Sequence, residues 1–423
     1  MKTTNLPAYL ASVAAAALLA CSFAVPALAQ DCPELVHHWP GPISGVAVEG
    51  DYAYLGIFGG LAIADVSNPS APKVVGEVTS PTHLDFMTTG VAVSGAYAYG
   101  AAGRLTVYDV SMPSAPVEVG FVDTPGFSYG VAVEGGYAYV AEYGGLRVID
   151  VSTPSAPVAV GFVDTPDPAR GVTVSGDYAY VAAFGAGLRV IDVSVPSAPN
   201  EVGFVDTPGS ARGVTVSGSY AYVTVGGDPG VLDGLSVIDV SAPSAPVEVG
   251  FVETPVFADD VAVSGHHAYV GGGEQNPFGG DDEFIGNLRV IDVSTPLAPV
   301  EVGSVGALGR PYDVAVSSGY AYLATGAGLQ VIYVAAPSSP TEVGYLVGRL
   351  TSITGPHVVD AGRYVYATRT RCGDPGGCHT VFHVIDVSTP SSPVEVGFLS
   401  GWGLGGGADV AGLSSYAYVT NAG

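Results

Sequence analysis

Lysine is almost missing from this chain: Lys2 and Lys73 are the two that occur in 423 residues. Basic residues number 13 in all against 39 acidic ones, for a formal net charge of −26. DNA, RNA and anionic lipid surfaces would meet mostly repulsion, which argues against a nucleic-acid partner. The surplus of carboxylates reads first as a solubilising surface, with a salty habitat or contacts with cations as the other readings. An apolar stripe at a 3.6-residue period is also missing, and this excludes a helical repeat. Beyond the first 29 residues no apolar run approaches the roughly 20 residues that span a bilayer. Cysteine is scarce, with four residues, and no nucleophile, metal set or paired acid stands in a usable pattern.

Glycine and proline, in contrast, are abundant, at 60 and 32 residues. Without a period such a composition would suggest disorder, but both recur at fixed turn positions. The phrase Gly-Leu-Arg-Val-Ile-Asp-Val-Ser-Thr-Pro-Ser-Ala-Pro, at 145–157, returns with small edits along nearly the whole chain. Its aspartate column runs Asp65, Asp109, Asp150, Asp192, Asp239, Asp292 and Asp386, with Tyr333 in the seventh unit. A Tyr-Ala-Tyr column marks the same units, beginning at Tyr52, Tyr97, Tyr137, Tyr178, Tyr220 and Tyr320. The spacing is roughly 40 to 53 residues, the range of four-stranded propeller blades.

The third unit shows the strands. Val-, Ile- and Tyr-rich runs at 130–134, 137–141, 146–151 and 158–164 are cut by Gly, Pro or Ser and read as strands a to d. Glu134-Gly135-Gly136 predicts a tight a-to-b hairpin, and the two prolines of the c-to-d connection stop strand c. A four-stranded antiparallel meander repeated radially is an all-β propeller. Eight full units and a partial ninth predict about eight blades, with seven to nine as the range. Residues 33–39 resemble a lone strand d, so the two chain ends are placed to make one composite blade.

The first 29 residues carry Lys2, an apolar stretch from Tyr9 to Val25 and the small-residue site Ala27-Leu28-Ala29, the pattern of a cleaved secretory signal. The propeller then occupies 30–423. The rival reading takes Leu18-Leu19-Ala20-Cys21 as a lipoprotein site. Export implies an oxidising setting, in which Cys372 and Cys378, flanking a turn-rich stretch, read as a disulfide. A metal site of Cys372, Cys378, His379 and His383 is the alternative, although its spacing is not a usual zinc pattern. Cys32 is left over.

Leu-Arg-Val-Ile-Asp at 146–150, 188–192 and 288–292 resembles the signature of the LVIVD-repeat family, exported or surface β-propellers of bacteria and archaea. Tyr418-Val419-Thr420-Asn421 is similar to the related YVTN repeat. The resemblance implies fold and location, and it brings no catalytic residues with it.

In a blade meander the d-to-a and b-to-c loops share one face, and the a-to-b and c-to-d loops the other. The second face is uniform, and its aspartates are expected to cap their own turns. The first face varies, and strand a opens on it at the mouth of the central channel. The column there reads Gly45, Gly90, Gly130, Gly171, Gly213, Asp260, Asp313, His357 and Asp409, preceded by Ser44, Thr89, Tyr129, Arg170, Arg212, Asp259 and Tyr312. Arg170, Arg212, Asp259, Asp260, Asp313, His357 and Asp409 are therefore the candidate ligand-binding residues, for a small polar ligand or a cation. Charges that merely hydrate an open channel are the competing reading.

Other motifs read as structural. Gly126-Phe127-Ser128-Tyr129-Gly130 has the nucleophile-elbow pattern, but it joins two strands where that motif needs a strand and a helix. Asp281-Asp282-Glu283 offers carboxylates for calcium without the spacing of a calcium loop, and His266-His267 sits at a hairpin tip. No cofactor is expected, with calcium as a weak alternative. The expected function is an exported binding or interaction scaffold, with a protein or carbohydrate of the cell envelope, or a small polar ligand, as partner. An enzyme using His357 as base and Arg170 or Arg212 as anion stabilisers is one alternative, and a purely structural envelope or adhesion element the other.

Overall fold

A computed structural model describes residues 43–80, 87–226, 232–275, 284–307, 309–326 and 328–347, and strand segments between 358 and 419. Four-stranded antiparallel sheets follow one another at 45–79, 90–123, 128–164, 171–205, 211–253, 258–307, 311–347 and 358–402, with a two-stranded hairpin at 410–419. Each four-stranded sheet is a meander in sequence order. Among the described residues no helix is long and apolar enough to cross a membrane.

The third blade shows how the repeat makes a sheet. Its strands run Ser128–Glu134, Tyr137–Glu142, Gly145–Asp150 and Val158–Asp164, close to the expected boundaries. Gly135 and Gly136 take φ of 60° and 84°, which a residue with a side chain adopts only at a cost. At the end of strand c, Asp150 Oδ1 accepts the Ser152 N–H at 2.9 Å. Asp109 and Asp192 also accept the serine hydroxyl, each at 2.6 Å. Bonds from that hydroxyl and N–H hold the carboxyls of Asp109, Asp150 and Asp192 below their ordinary value. These aspartates therefore work as turn caps.

The arginine of the repeated phrase is also scaffold. Arg147 and Arg189 face Phe162 and Phe204 across the c–d pair, at 4.6 and 4.7 Å from the ring centroids. Arg189 pairs with Glu201 of strand d at 3.3 Å. Ala159 takes the corresponding place in the third blade, and Arg147 bonds Glu142 instead, at 3.2 Å.

Blades pack through an apolar core between every neighbouring pair. The second tyrosine of Tyr-Ala-Tyr is buried there in each ring blade. Strand d carries a glycine against which the next blade rests: a methyl group at Gly203 would collide with the Pro243 carbonyl oxygen, and one at Gly303 with that of Pro337. The series returns to its start, because Gly344 of the seventh blade meets the Pro69 carbonyl oxygen of the first in the same way. A shared core joins these two blades through Leu55, Ala62 and Val66 on one side and Tyr322, Leu329 and Val331 on the other. At the channel, the Val46 N–H donates to Asp313 Oδ2 at 2.7 Å.

Seven blades thus close the ring by packing the first on the seventh, with no strand exchanged. That is the low end of the expected range of seven to nine around a count of eight. Among the described residues the eighth unit forms its own sheet, at 358–402, separate from the seam between the first and seventh blades. A composite blade of the chain ends is not needed, since the first blade already meets the seventh; residues 33–39 lie outside the described residues, as do 1–29 with Cys21, and Cys32.

A methyl group forced between blades costs about 1–3 kcal/mol. Gly203→Ala is expected to lower the denaturation midpoint accordingly. Gly306→Ala, where the added methyl meets nothing, should stay within about 0.5 kcal/mol of the parent. Equal midpoints for the two variants would contradict the glycine contact.

Candidate functional site

Strand a of every ring blade begins at the central channel, on the face of the d-to-a and b-to-c loops. A cavity of about 660 Å³ opens there. Arg170, Arg212, Asp259, Asp260 and Asp313 all line it, so five of the seven candidate residues converge. His357 and Asp409 lie outside the described residues.

The inner glycines exist because neighbouring a strands approach closely. A methyl group at Gly90 would sit 2.8 Å from the Tyr129 carbonyl oxygen, and one at Gly130 2.8 Å from that of Arg170. Aspartate replaces glycine at Asp260 and Asp313, and there the carboxyl bridges to the next blade. Asp260 Oδ2 accepts the Val314 N–H at 3.0 Å, and Asp313 Oδ2 accepts that of Val46 at 2.7 Å. These two carboxyls also hydrogen-bond each other. Burial pushes both above the ordinary carboxyl range, Asp260 furthest because the Asp313 charge stands beside it. Each therefore holds its proton more tightly than a solvent-exposed carboxyl does.

Asp259 is engaged from two sides. Its carboxylate, 8% exposed, takes a two-pronged contact from Arg310, with Nε to Oδ2 at 2.6 Å, and lies 3.6 Å from Arg212 Nη1. Arg212 Nε also donates to the Gly226 carbonyl at 2.9 Å. Arg170 differs: among the described residues it forms no ion pair, and its Nε is buried without a hydrogen-bond partner. The arc that reads as acidic in the sequence is therefore largely neutralised. A cation would have to displace Arg310 from Asp259 or backbone N–H groups from the aspartate pair. Among the described residues no three His, Cys, Asp or Glu are placed to hold a metal ion.

Arg310 is absent from the sequence-based candidates, as are Phe184 and Phe257. Arg310 precedes Asp313 by three residues whereas Arg170 and Arg212 directly precede the column, and a register shift between Pro311 and Asp313 intervenes. Simple alternation along the strand therefore does not reveal it. Phe184, in the fourth b-to-c turn, stands where the first and third blades have Phe58 and Tyr143, four residues after the second tyrosine of strand b.

The remaining motifs stay structural. Ser128, 1% exposed, shares a 2.8 Å hydrogen bond with the Thr124 hydroxyl and is followed by strand. His266 and His267 occupy the a-to-b hairpin of the sixth blade, on the opposite face. The register places Cys372 opposite Cys378, the arrangement a cross-strand disulfide requires. Asp281, Asp282 and Glu283 lie outside the described residues.

A carboxyl whose pKa is raised by folding adds stability below its ordinary value of about 4 and loses it as the pH rises through the raised value. Asp260→Asn keeps an acceptor for Val314 and a donor toward Asp313 but cannot ionise. Its melting temperature relative to the parent is expected to climb as the pH rises above about 4. A difference that stays constant with pH would contradict the raised carboxyls.

The family model for the LVIVD repeat matches residues 40–80, 87–124, 125–165, 168–207, 208–254, 257–276, 283–306, 309–346 and 380–399. The segments 257–276 and 283–306 are two parts of the sixth blade, separated at its b-to-c loop. None of the curated proteins matches the chain. Among solved structures, a functionally unknown protein from Desulfotomaculum acetoxidans aligns with a TM-score of 0.55 and 13% identity, covering 72% of this chain and 95% of that one. The β-propeller domain of Myceliophteria thermophila Cps50 (Swd1) aligns at 0.52 and 13%, covering 67% and 92%. The computationally designed Ika8 protein aligns at 0.52 and 10%, covering 78% and 93%. At these identities the likeness is one of fold. With the repeat matched blade after blade over most of its length, the chain belongs to the LVIVD-repeat family.

Proposed function

We propose that the protein is an exported or cell-surface propeller that works as a binding scaffold, with the d-to-a and b-to-c face as its contact surface. The cavity at the channel mouth carries this reading, because it is concave and of small-molecule size and gathers charged side chains from several blades. The loops of the same face also present aromatics to solvent: Phe127 is 57% exposed and Tyr143 64%. The opposite face spends its polar groups on repeated turn caps. The secretory pattern of the first 29 residues supports export, and the oxidising setting then favours the Cys372–Cys378 disulfide. A protein or carbohydrate of the cell envelope, or a small polar ligand, is the partner this face would meet.

The test pairs a thermal-shift screen over sugars, polar metabolites and divalent cations with capture of partners from an envelope extract. A melting temperature raised by at least one compound, or a partner whose capture is lost when Arg170 and Arg212 become alanine, is the expected result. A melting temperature moved by none of them, together with no such partner, would contradict the reading.

A further inference from the structure

Guanidinium groups and aromatic rings alternate around one side of the mouth. Arg170 Cζ lies 4.2 Å from the Tyr129 centroid and 5.4 Å from that of Phe184. Arg212 lies 5.7 Å from Phe184 and 5.8 Å from Phe257, and Arg310 lies 4.5 Å from Phe257. These residues come from the third to the seventh blade, so the ladder is a product of ring assembly and not of the repeat. Phe184 holds φ at 41°, a left-handed conformation that is strained for a bulky side chain. A bridge to Ala211 of the next blade keeps it there.

The ion pairs of the mouth are unevenly shared. Asp259 is engaged by Arg310 and Arg212, and the Asp260 and Asp313 carboxyls are bonded to backbone N–H groups of the next blade. Arg170, in contrast, has no carboxylate partner among the described residues. Arg170 lines the cavity, so its guanidinium is the cation there left for an incoming oxyanion to pair with. Stacking on Tyr129 fixes the plane of this guanidinium in advance, so little freedom is lost on binding.

We propose that the cavity is a receptor for a small organic anion, with a carboxylate or phosphate group held by Arg170 and the flat or apolar remainder lying against Tyr129 and Phe184. Arg212, tied to Asp259 and the Gly226 carbonyl, borders the same space. The cavity of about 660 Å³ admits a molecule of one or two rings. This inference rests on the reading of the mouth face as the contact surface.

The test is calorimetric titration of the full chain with benzoate, inorganic phosphate, the neutral isostere benzamide and galactose. Saturable binding of benzoate or phosphate is expected, with the arm that binds identifying the head group, and benzamide should bind at least about tenfold more weakly than benzoate. Arg170→Gln should weaken the anion by a similar factor while retaining the fold, because no ion pair is broken. Tyr129→Leu should weaken benzoate more than phosphate. Benzamide bound as tightly as benzoate, or affinity unchanged by Arg170→Gln, would overturn the proposal. So would the failure of both anions, and galactose or an envelope protein that still bound would then leave the scaffold reading standing. If Arg170→Gln did not fold, the benzoate-to-benzamide ratio of the parent would decide.

Discussion

Everything in this molecule depends on how closely one sheet can approach the next. At the outer edge the distance is set by a strand-d glycine resting on a proline carbonyl of the following blade, and at the channel by glycines at the start of strand a. Neither place has room for a methyl group, so the sheets are held at one spacing and one tilt. Repeating that relation seven times brings Gly344 to Pro69 and closes the ring. Gly and Pro account for much of the composition because the packing rule is written in those two residues.

The mouth owes its character to the places where this rule is relaxed. Aspartate stands in for glycine at Asp260 and Asp313, and each carboxyl reaches across to a backbone N–H of the next blade. The bridge seals two of the seven seams, including the one that closes the ring. It also puts two buried carboxyls side by side, which raises the pKa of both. Asp259 is neutralised by Arg310 and Arg212. What remains is Arg170, which lines the cavity without an ion pair among the described residues.

The blades were legible in the sequence because their determinants are local. Glycines at 135 and 136 specify a hairpin, prolines stop strand c, and Asp150 caps a turn two residues away, so the boundaries could be read within a single unit. Blade number could not be read in this way, since every unit looks alike and closure depends on the angle between sheets. Arg170, Arg212, Asp259, Asp260 and Asp313 stood out because they break a column of glycines and small residues. Their electrostatics did not, for it turns on Arg310, which lies outside the column, and on two carboxyls that meet across a blade seam. Phe184 belongs to an aromatic position shared with Phe58 and Tyr143, but its approach to the arginines could not be read, because its place is fixed by Ala211 of another blade.

The central claim is that seven blades complete the ring. Limited proteolysis in the stretch between residues 347 and 358, followed by thermal unfolding of the trimmed protein, tests it most directly. Closure between the first and seventh blades predicts a single cooperative transition whose midpoint lies within about 2 °C of the parent, which corresponds to about 1 kcal/mol for a chain of this size. A much lower midpoint, or loss of cooperativity, would mean that the eighth sheet belongs to the ring, and would contradict the account.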